Sequence, residues 1–172
     1  MTVSAALRRI KKIKGLIADR TTRAKASVVY MDTKEPGFAF GASLEERATF
    51  VRDLVKLQSA VAVANAATLL SDGKTTVAHA IRSLDEKKAE IAIYKELPVR
   101  AKETEIEIEE DTEWSPTGAR VRVERKKTWR SAITQAKRAE IVERLTSEFE
   151  VLNNEVEALN NRIVVEVDLS AP

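Results

Sequence analysis

Val142, Leu145, Phe149, Leu152, Val156, Leu159 and Ile163 follow one another at steps of three, four, three, four, three and four residues. That spacing keeps one side of an α-helix apolar through successive heptads and offers knobs to whatever lies against it. A strand cannot use the pattern, because its side chains change face at every residue. With the turns upstream, the predicted helix runs over residues 131–163 and reaches about 50 Å at 1.5 Å per residue. The helix outruns its expected partners, so its seam is expected to meet another copy of the chain.

Few residues stand in the way of further helices. Only 5 Gly and 4 Pro occur in 172 residues, and aromatics are 5%, a composition suited to aliphatic helix packing. Val3, Ala6, Ile10, Ile13 and Ile17, widened by Leu7 and Leu16, predict an amphipathic helix over residues 4–25. The β-prone stretch 27–31 and the turn Glu35-Pro36-Gly37 predict a short hairpin or extended loop ahead of Phe38 and Phe40. Ser43 followed by Glu46 has the spacing of a capping box and predicts a helix start at residue 43. From there two apolar stripes run side by side to residue 70. One is Leu44, Ala48, Val51, Val55, Ala62 and Leu69; the other is Phe50, Leu54, Leu57, Val61 and Ala64. Two stripes predict a central helix covered on more than one side. A third helix is expected over residues 75–97, with Val77, Ile81, Leu84 and Ile91 on one face and Pro98 as its stop. The short link 71–74 predicts that it folds back antiparallel to the second.

Between the third and fourth helices the period changes from about four to two. Ile106 and Ile108 alternate with Glu105, Glu107 and Glu109, and Val121 and Val123 alternate with Arg120 and Arg122. Placing Ile108 opposite Val121, Ile106 opposite Val123, Glu109 opposite Arg120 and Glu107 opposite Arg122 gives one apolar and one salt-paired face. This predicts a β-hairpin arm over residues 103–126, its loop holding Trp114 and Ser115-Pro116-Thr117-Gly118. Residues 164–169 are expected to end as a short strand. The predicted fold is thus mainly α: a single domain, 1–172, built as an antiparallel bundle of four long helices with two β-hairpin or extended excursions.

Chemistry-bearing patterns are sparse. With no Cys there is neither a disulfide framework nor a thiolate site, which fits a reducing compartment. Residues 1–10 lack the apolar run of a signal peptide, and no apolar run approaches the roughly 20 residues of a membrane span. A soluble protein, cytoplasmic or assembled in a virion, is expected. Gly73-Lys74-Thr75-Thr76 resembles the end of a phosphate-binding loop, but position 68 is Thr where that motif needs Gly, so a helix-capping turn is the reading. His79 is the single histidine and has no second ligand or orienting partner in view, so a surface or interhelical hydrogen bond is its expected role. The many Glu residues read as solvated helix faces. Asn65 sits on the stripe of the central helix, where a buried amide can fix helix register, with Thr68 and Gln58 extending the polar pairing. No catalytic, cofactor or metal site is expected.

Surfaces are more suggestive. Within residues 1–25, Arg8, Arg9, Lys11, Lys12, Lys14, Arg20, Arg23 and Lys25 face a single acid, Asp19, although the net charge of the chain is only +2. Such a helix could track a nucleic-acid backbone. It carries no interleaved aromatics, however, and an acidic protein surface such as another copy's stretch 103–113 fits better. Phe38, Phe40 and Trp114 lie on predicted loops as docking points or as covers for the helix ends. The seam Val142, Leu145, Phe149, Leu152, Val156 and Leu159 is the remaining interface candidate.

One resemblance emerges from these elements. Leu54, Leu57, Val61, Asn65 and Thr68, then Thr76, Asp85, Lys88 and Ile91, then Glu105-Ile106, with Leu152, Leu159 and Ile163 in the closing helix, are similar to the septicolysin-like family of small bacterial and phage proteins. Members of that family close with a Gln and an Asn-Trp pair, where this chain has Val164-Val165-Glu166-Val167, and the loop around Trp114 is longer here. The resemblance implies a helical fold and carries no activity onto any residue. Its name implies a membrane-acting protein, a third reading for which the chain offers no pore-forming segment. The sequence therefore points to a non-catalytic assembly or structural subunit, a homo-oligomer or phage-particle component; the alternative is a nucleic-acid-binding accessory protein using the first helix.

Overall fold

The computed structural model describes residues 1–170 and is mainly helical, with one two-stranded antiparallel sheet. In chain order its elements are α1 (Val3–Ala26), α2 (Phe40–Ala67), α3 (Val77–Glu96), β1 (Thr104–Trp114), β2 (Arg120–Arg130) and α4 (Gln135–Asn160). The chain divides into two compact units. One comprises Met1–Ser83 and the chain from Leu152 onward, the other Leu84–Val151.

In the first unit α1 packs along α2. The Oγ1 of Thr2 accepts the Ala5 amide at 3.2 Å, supplying a partner that a first-turn amide lacks within the helix. Val3, Ala6, Ile10 and Ile13 then face Leu57 and Val61 of α2, with Phe50, Leu54 and Ala64 half-buried beside them. Ile13 and Leu57 lie among the largest fully buried side chains, and truncating either to Ala costs about 2–5 kcal/mol. The segment after α4 closes this core. Val165 is buried, its amide donates to the Met1 carbonyl at 2.8 Å, and the Val3 amide donates to the Ile163 carbonyl at 3.0 Å. Lys56 Nζ reaches the Asp168 carbonyl at 3.0 Å, and the Ser170 amide donates to the buried carboxylate of Asp53 at 3.0 Å.

Several expectations change here. The capping box does not form, because α2 begins a turn earlier, at Phe40, and Ser43 sits inside it with its hydroxyl donating back to the Ala39 carbonyl at 3.0 Å. Glu46 pairs with Arg20 of α1 instead. Only one of the two predicted stripes is packed: Leu44 and Val55 of the other are 41% and 57% exposed, and Leu69, 46% exposed, lies beyond the end of α2. Residues 27–39 form an irregular loop with no strand, and the segment 163–170 makes one isolated bridge, Thr2↔Val164, rather than a strand. The antiparallel four-helix bundle is not established, and the link after α2 is a tight turn within the first unit. It folds on itself, with Leu69 bridged to Thr76 and Gly73 at φ 67 in the turn.

In the second unit the strands β1 and β2, 11 residues each, form a hairpin about 35 Å long. Its register differs from the expected one: Ile108 pairs with Lys126, Ile106 with Thr128, Glu113 with Val121 and Asp111 with Val123. The turn decides this. The Gly118 amide donates to the Ser115 carbonyl at 2.9 Å, Gly118 takes φ 80, and Ser115 closes onto Ala119 at 2.8 Å. A Pro-Thr-Gly turn this tight leaves no slack for residues 110–119 to form the long loop that the apolar register requires. Elsewhere in this unit, Lys87 of α3 pairs with Glu148 of α4 at 2.5 Å, and Leu84 and Leu145 are buried.

Candidate functional site

The residues of the α4 seam differ in exposure. Leu145 and Val156 are 3% and 5% exposed, and Val142, Phe149, Leu152, Leu159 and Ile163 are half-buried. The half-buried members keep part of their surface exposed and stay candidates for an interface.

The turn at residues 72–76 is also fully committed. One oxygen of Asp72 accepts the amides of Lys74 and Thr75, both at 2.8 Å, and the other accepts the Thr75 hydroxyl at 2.6 Å. The Thr75 hydroxyl, then the amides of Lys74 and Thr75, hold the Asp72 carboxyl below its ordinary pKa. Thr76 Oγ1 accepts the His79 amide at 3.2 Å. The donors a phosphate would need are occupied by a carboxylate, so this is a capping turn. His79 is exposed, and among the described residues no group of three or more His, Asp or Glu side chains could hold a metal ion. Asn65 does not make the expected pairing through its oxygen: Oδ1 is buried without a hydrogen-bond partner. A shallow open groove lined by Ala60, Val63, Ala64, Val164 and Val165 has only Ser59 and Glu166 as polar neighbours.

What remains conspicuous is the arm formed by β1 and β2. Ile106 and Trp114 are 66% and 69% exposed, and Ile108, Val121 and Trp129 are exposed as well. Because directly opposed residues share a face, Ile106, Ile108, Glu110 and Trp114 lie with Arg120, Arg122, Lys126 and Thr128, while Val121, Val123 and Trp129 lie with Glu105, Glu107, Glu109, Asp111 and Glu113. Neither face is apolar throughout, and neither is covered. Cross-strand ion pairs run along both: Lys127 with Glu109, Arg125 with Glu113 and Asp111, and Arg122 with Glu110 at 2.7 Å. Hydrogen bonding to Glu113 and then its charge push the Arg125 guanidinium above its ordinary pKa, and Glu109 does the same for Lys127. Such exposed pairs orient the strands and add little stability.

The base of the arm is built around Arg100, which sequence reasoning did not single out. Its guanidinium lies 4.5 Å from the ring centre of Trp129, its carbonyl accepts the Gln135 amide at 2.9 Å, and Thr134 bridges to it in parallel. Trp129 donates from Nε1 to Glu107 at 2.8 Å. The signal was available in part: Trp129 continues the alternation of β2 beyond residue 126. At the tip, Arg120 stacks 5.3 Å from the ring centre of Trp114.

Two other surfaces belong to the first unit. Arg8, Lys11, Lys12 and Lys14 are exposed on α1 and make no ion pair among the described residues, whereas Arg9 is half-buried. Arg20 and Arg23 pair with Asp19, and Arg23 stacks 4.3 Å from the ring centre of Phe38. Phe38 and Phe40 remain 47% and 45% exposed, and they share the 27–40 segment with Val29 and Met31, at 85% and 74%. No helix among the described residues is long and apolar enough to cross a membrane.

Comparison with known proteins adds no relative: no family model, curated protein or solved structure matches the chain.

Proposed function

We propose that the chain is a non-catalytic assembly subunit, of the kind from which a phage particle or another large oligomer is built, and that it acts by self-association through the β1–β2 arm. The observation that carries this reading is the arm itself. A two-stranded hairpin in water is marginal on its own, and this one leaves Ile106, Ile108, Val121, Trp114 and Trp129 exposed. A partner laid on it removes that surface from water. The uncovered stripe of α2, with Leu44 and Val55, supports the same reading. No residue is carried over from the septicolysin-like resemblance, and a membrane-acting role rests on that resemblance alone.

Replacing Ile106 and Trp114 by Ser tests the proposal, because both are exposed and contribute little to the folded chain. Sedimentation velocity should show weaker assembly with the melting temperature unchanged. Assembly equal to that of the unmodified chain would remove the arm from the account.

A second reading is favoured by one specific observation, the exposed bases Arg8, Lys11, Lys12 and Lys14, which make no ion pair among the described residues and lie off the packed face of α1. An anionic partner, a nucleic acid or an acidic protein surface, fits them. Filter binding of duplex and single-stranded DNA at about 150 mM salt separates the two readings, since phosphate contacts give a steep salt dependence. Weak binding is expected; sub-micromolar affinity lost on replacing Arg8, Arg9, Lys11 and Lys12 by Ala would favour nucleic acid.

A further inference from the structure

The two edges of the arm carry opposite charge. β1 holds Glu105, Glu107, Glu109, Glu110, Asp111 and Glu113 and no base. β2 holds Arg120, Arg122, Arg125, Lys126, Lys127 and Arg130 against the single acid Glu124. Among the described residues the sheet has two strands, so both edges are open. Their hydrogen-bonding phase follows from the two ends of the ladder. The Ser131 amide donates to the Glu103 carbonyl at 2.9 Å, and the Ser115 amide to the Ala119 carbonyl at 2.8 Å. Both bonds belong to the phase in which the odd-numbered residues of β1 pair with β2. The amides and carbonyls of Ile106, Ile108 and Glu110 therefore point out from one edge, and those of Arg122, Glu124 and Lys126 from the other.

We infer that the arms pair edge to edge between copies of this chain in one sense only, β1 of one copy against β2 of the next. Pairing β1 with β1 sets carboxylates beside carboxylates, and pairing β2 with β2 sets guanidinium and ammonium groups side by side; like charges across a ladder are destabilising. The unlike pairing places each acidic strand between two basic ones and repeats the arrangement already present inside the arm, where Lys127 meets Glu109 and Arg122 meets Glu110. Charge on open edges blocks indiscriminate strand addition, so the same residues that exclude like edges select the unlike one. The contact is heterologous: each copy uses a different edge toward each neighbour, which generates a ring or a filament and not a closed two-fold dimer.

This inference rests on the assembly reading and is tested by complementation between two full-length variants. Ile108→Pro removes an outward amide from the β1 edge, and Lys126→Pro removes one from the β2 edge, each without taking a hydrogen bond from the arm's own ladder. Each variant alone should be monomeric at concentrations where the unmodified chain assembles, and an equal mixture should form a one-to-one dimer that grows no further. One variant assembling like the unmodified chain while the other does not would show like-edge pairing and overturn the inference. Both assembling normally would place the contact away from the edges. An unmodified chain that stays monomeric removes the assembly reading itself. Should proline disrupt the arm, amide exchange on the unmodified chain decides: assembly should protect Ile106, Ile108 and Glu110 together with Arg122, Glu124 and Lys126, and protection of one edge only would contradict the pairing.

Discussion

Ile108 of β1 stands directly across the ladder from Lys126 of β2, so an apolar side chain and an ammonium group share one face of the arm. Nothing buries that face, and no desolvation penalty falls on the charge. The chain has no Cys, which makes this register open to direct chemical reading. Ile108 and Lys126 form a non-hydrogen-bonded pair, the geometry with the shorter Cα separation, suited to a disulfide. Ile108→Cys with Lys126→Cys should oxidise readily to an intramolecular bridge, and Ile108→Cys with Val121→Cys should not. The opposite result, read by non-reducing electrophoresis of dilute protein, would contradict the ladder described here.

The carboxylate of Asp53 lies fully buried on α2 and accepts the amide of Ser170 at 3.0 Å. Asp53→Ala removes that acceptor, and a lost buried hydrogen-bonding partner costs about 1–3 kcal/mol. For a chain of this size, melting should fall by about 2–4 °C per kcal/mol. Asp53→Asn keeps an acceptor and should fall less. Equal melting temperatures for Asp53→Ala and the unmodified chain would show that the terminal segment is not held there.

Lys87 holds Glu148 below the ordinary carboxylate range, chiefly by its hydrogen bond and then by its charge, with Arg144 adding to the effect. A carboxyl whose folded pKa is lowered stabilises the fold above its unfolded pKa, and that contribution disappears as pH falls through the folded value. The pair should therefore persist at neutral pH and be lost only below the usual glutamate titration. Carbon-detected NMR titration should place Glu148 below an ordinary glutamate, and Lys87→Met should return it upward. No upward movement in Lys87→Met would assign the shift to another cause.

The elements of this fold were legible where one side of a segment is truly buried. The α4 seam was readable because Leu145 and Val156 do face the interior, and α1 because Val3, Ala6, Ile10 and Ile13 do. The same logic misled in β1 and β2. Their alternation identified strands correctly, but aligning Ile with Val assumed a buried face, and with both faces in water the Ser115–Ala119 closure set the register. Capping at Ser43 failed for a similar reason. The cap pattern was present, but the helix gains an extra turn from Phe40 and Glu46 gains Arg20. Asp53 and Ser170 could not have been linked from sequence, since nothing local connects residues so far apart. Of the candidate surfaces, Trp114 and the α1 bases were visible in advance, whereas Arg100 and Trp129 acquire meaning only once the true register is known.

The central claim is that this chain assembles with itself, and light scattering coupled to gel filtration of the intact, unmodified chain tests it most directly. Across a dilution series from tens of micromolar downward, the weight-average mass should rise with concentration above the 19.1 kDa of a single chain and pass beyond twice that value. Added salt should lower it, since opposite charges on the two strand edges steer the contact. A mass that stays at one chain throughout, with the helical circular dichroism signal and cooperative melting intact, would contradict the account.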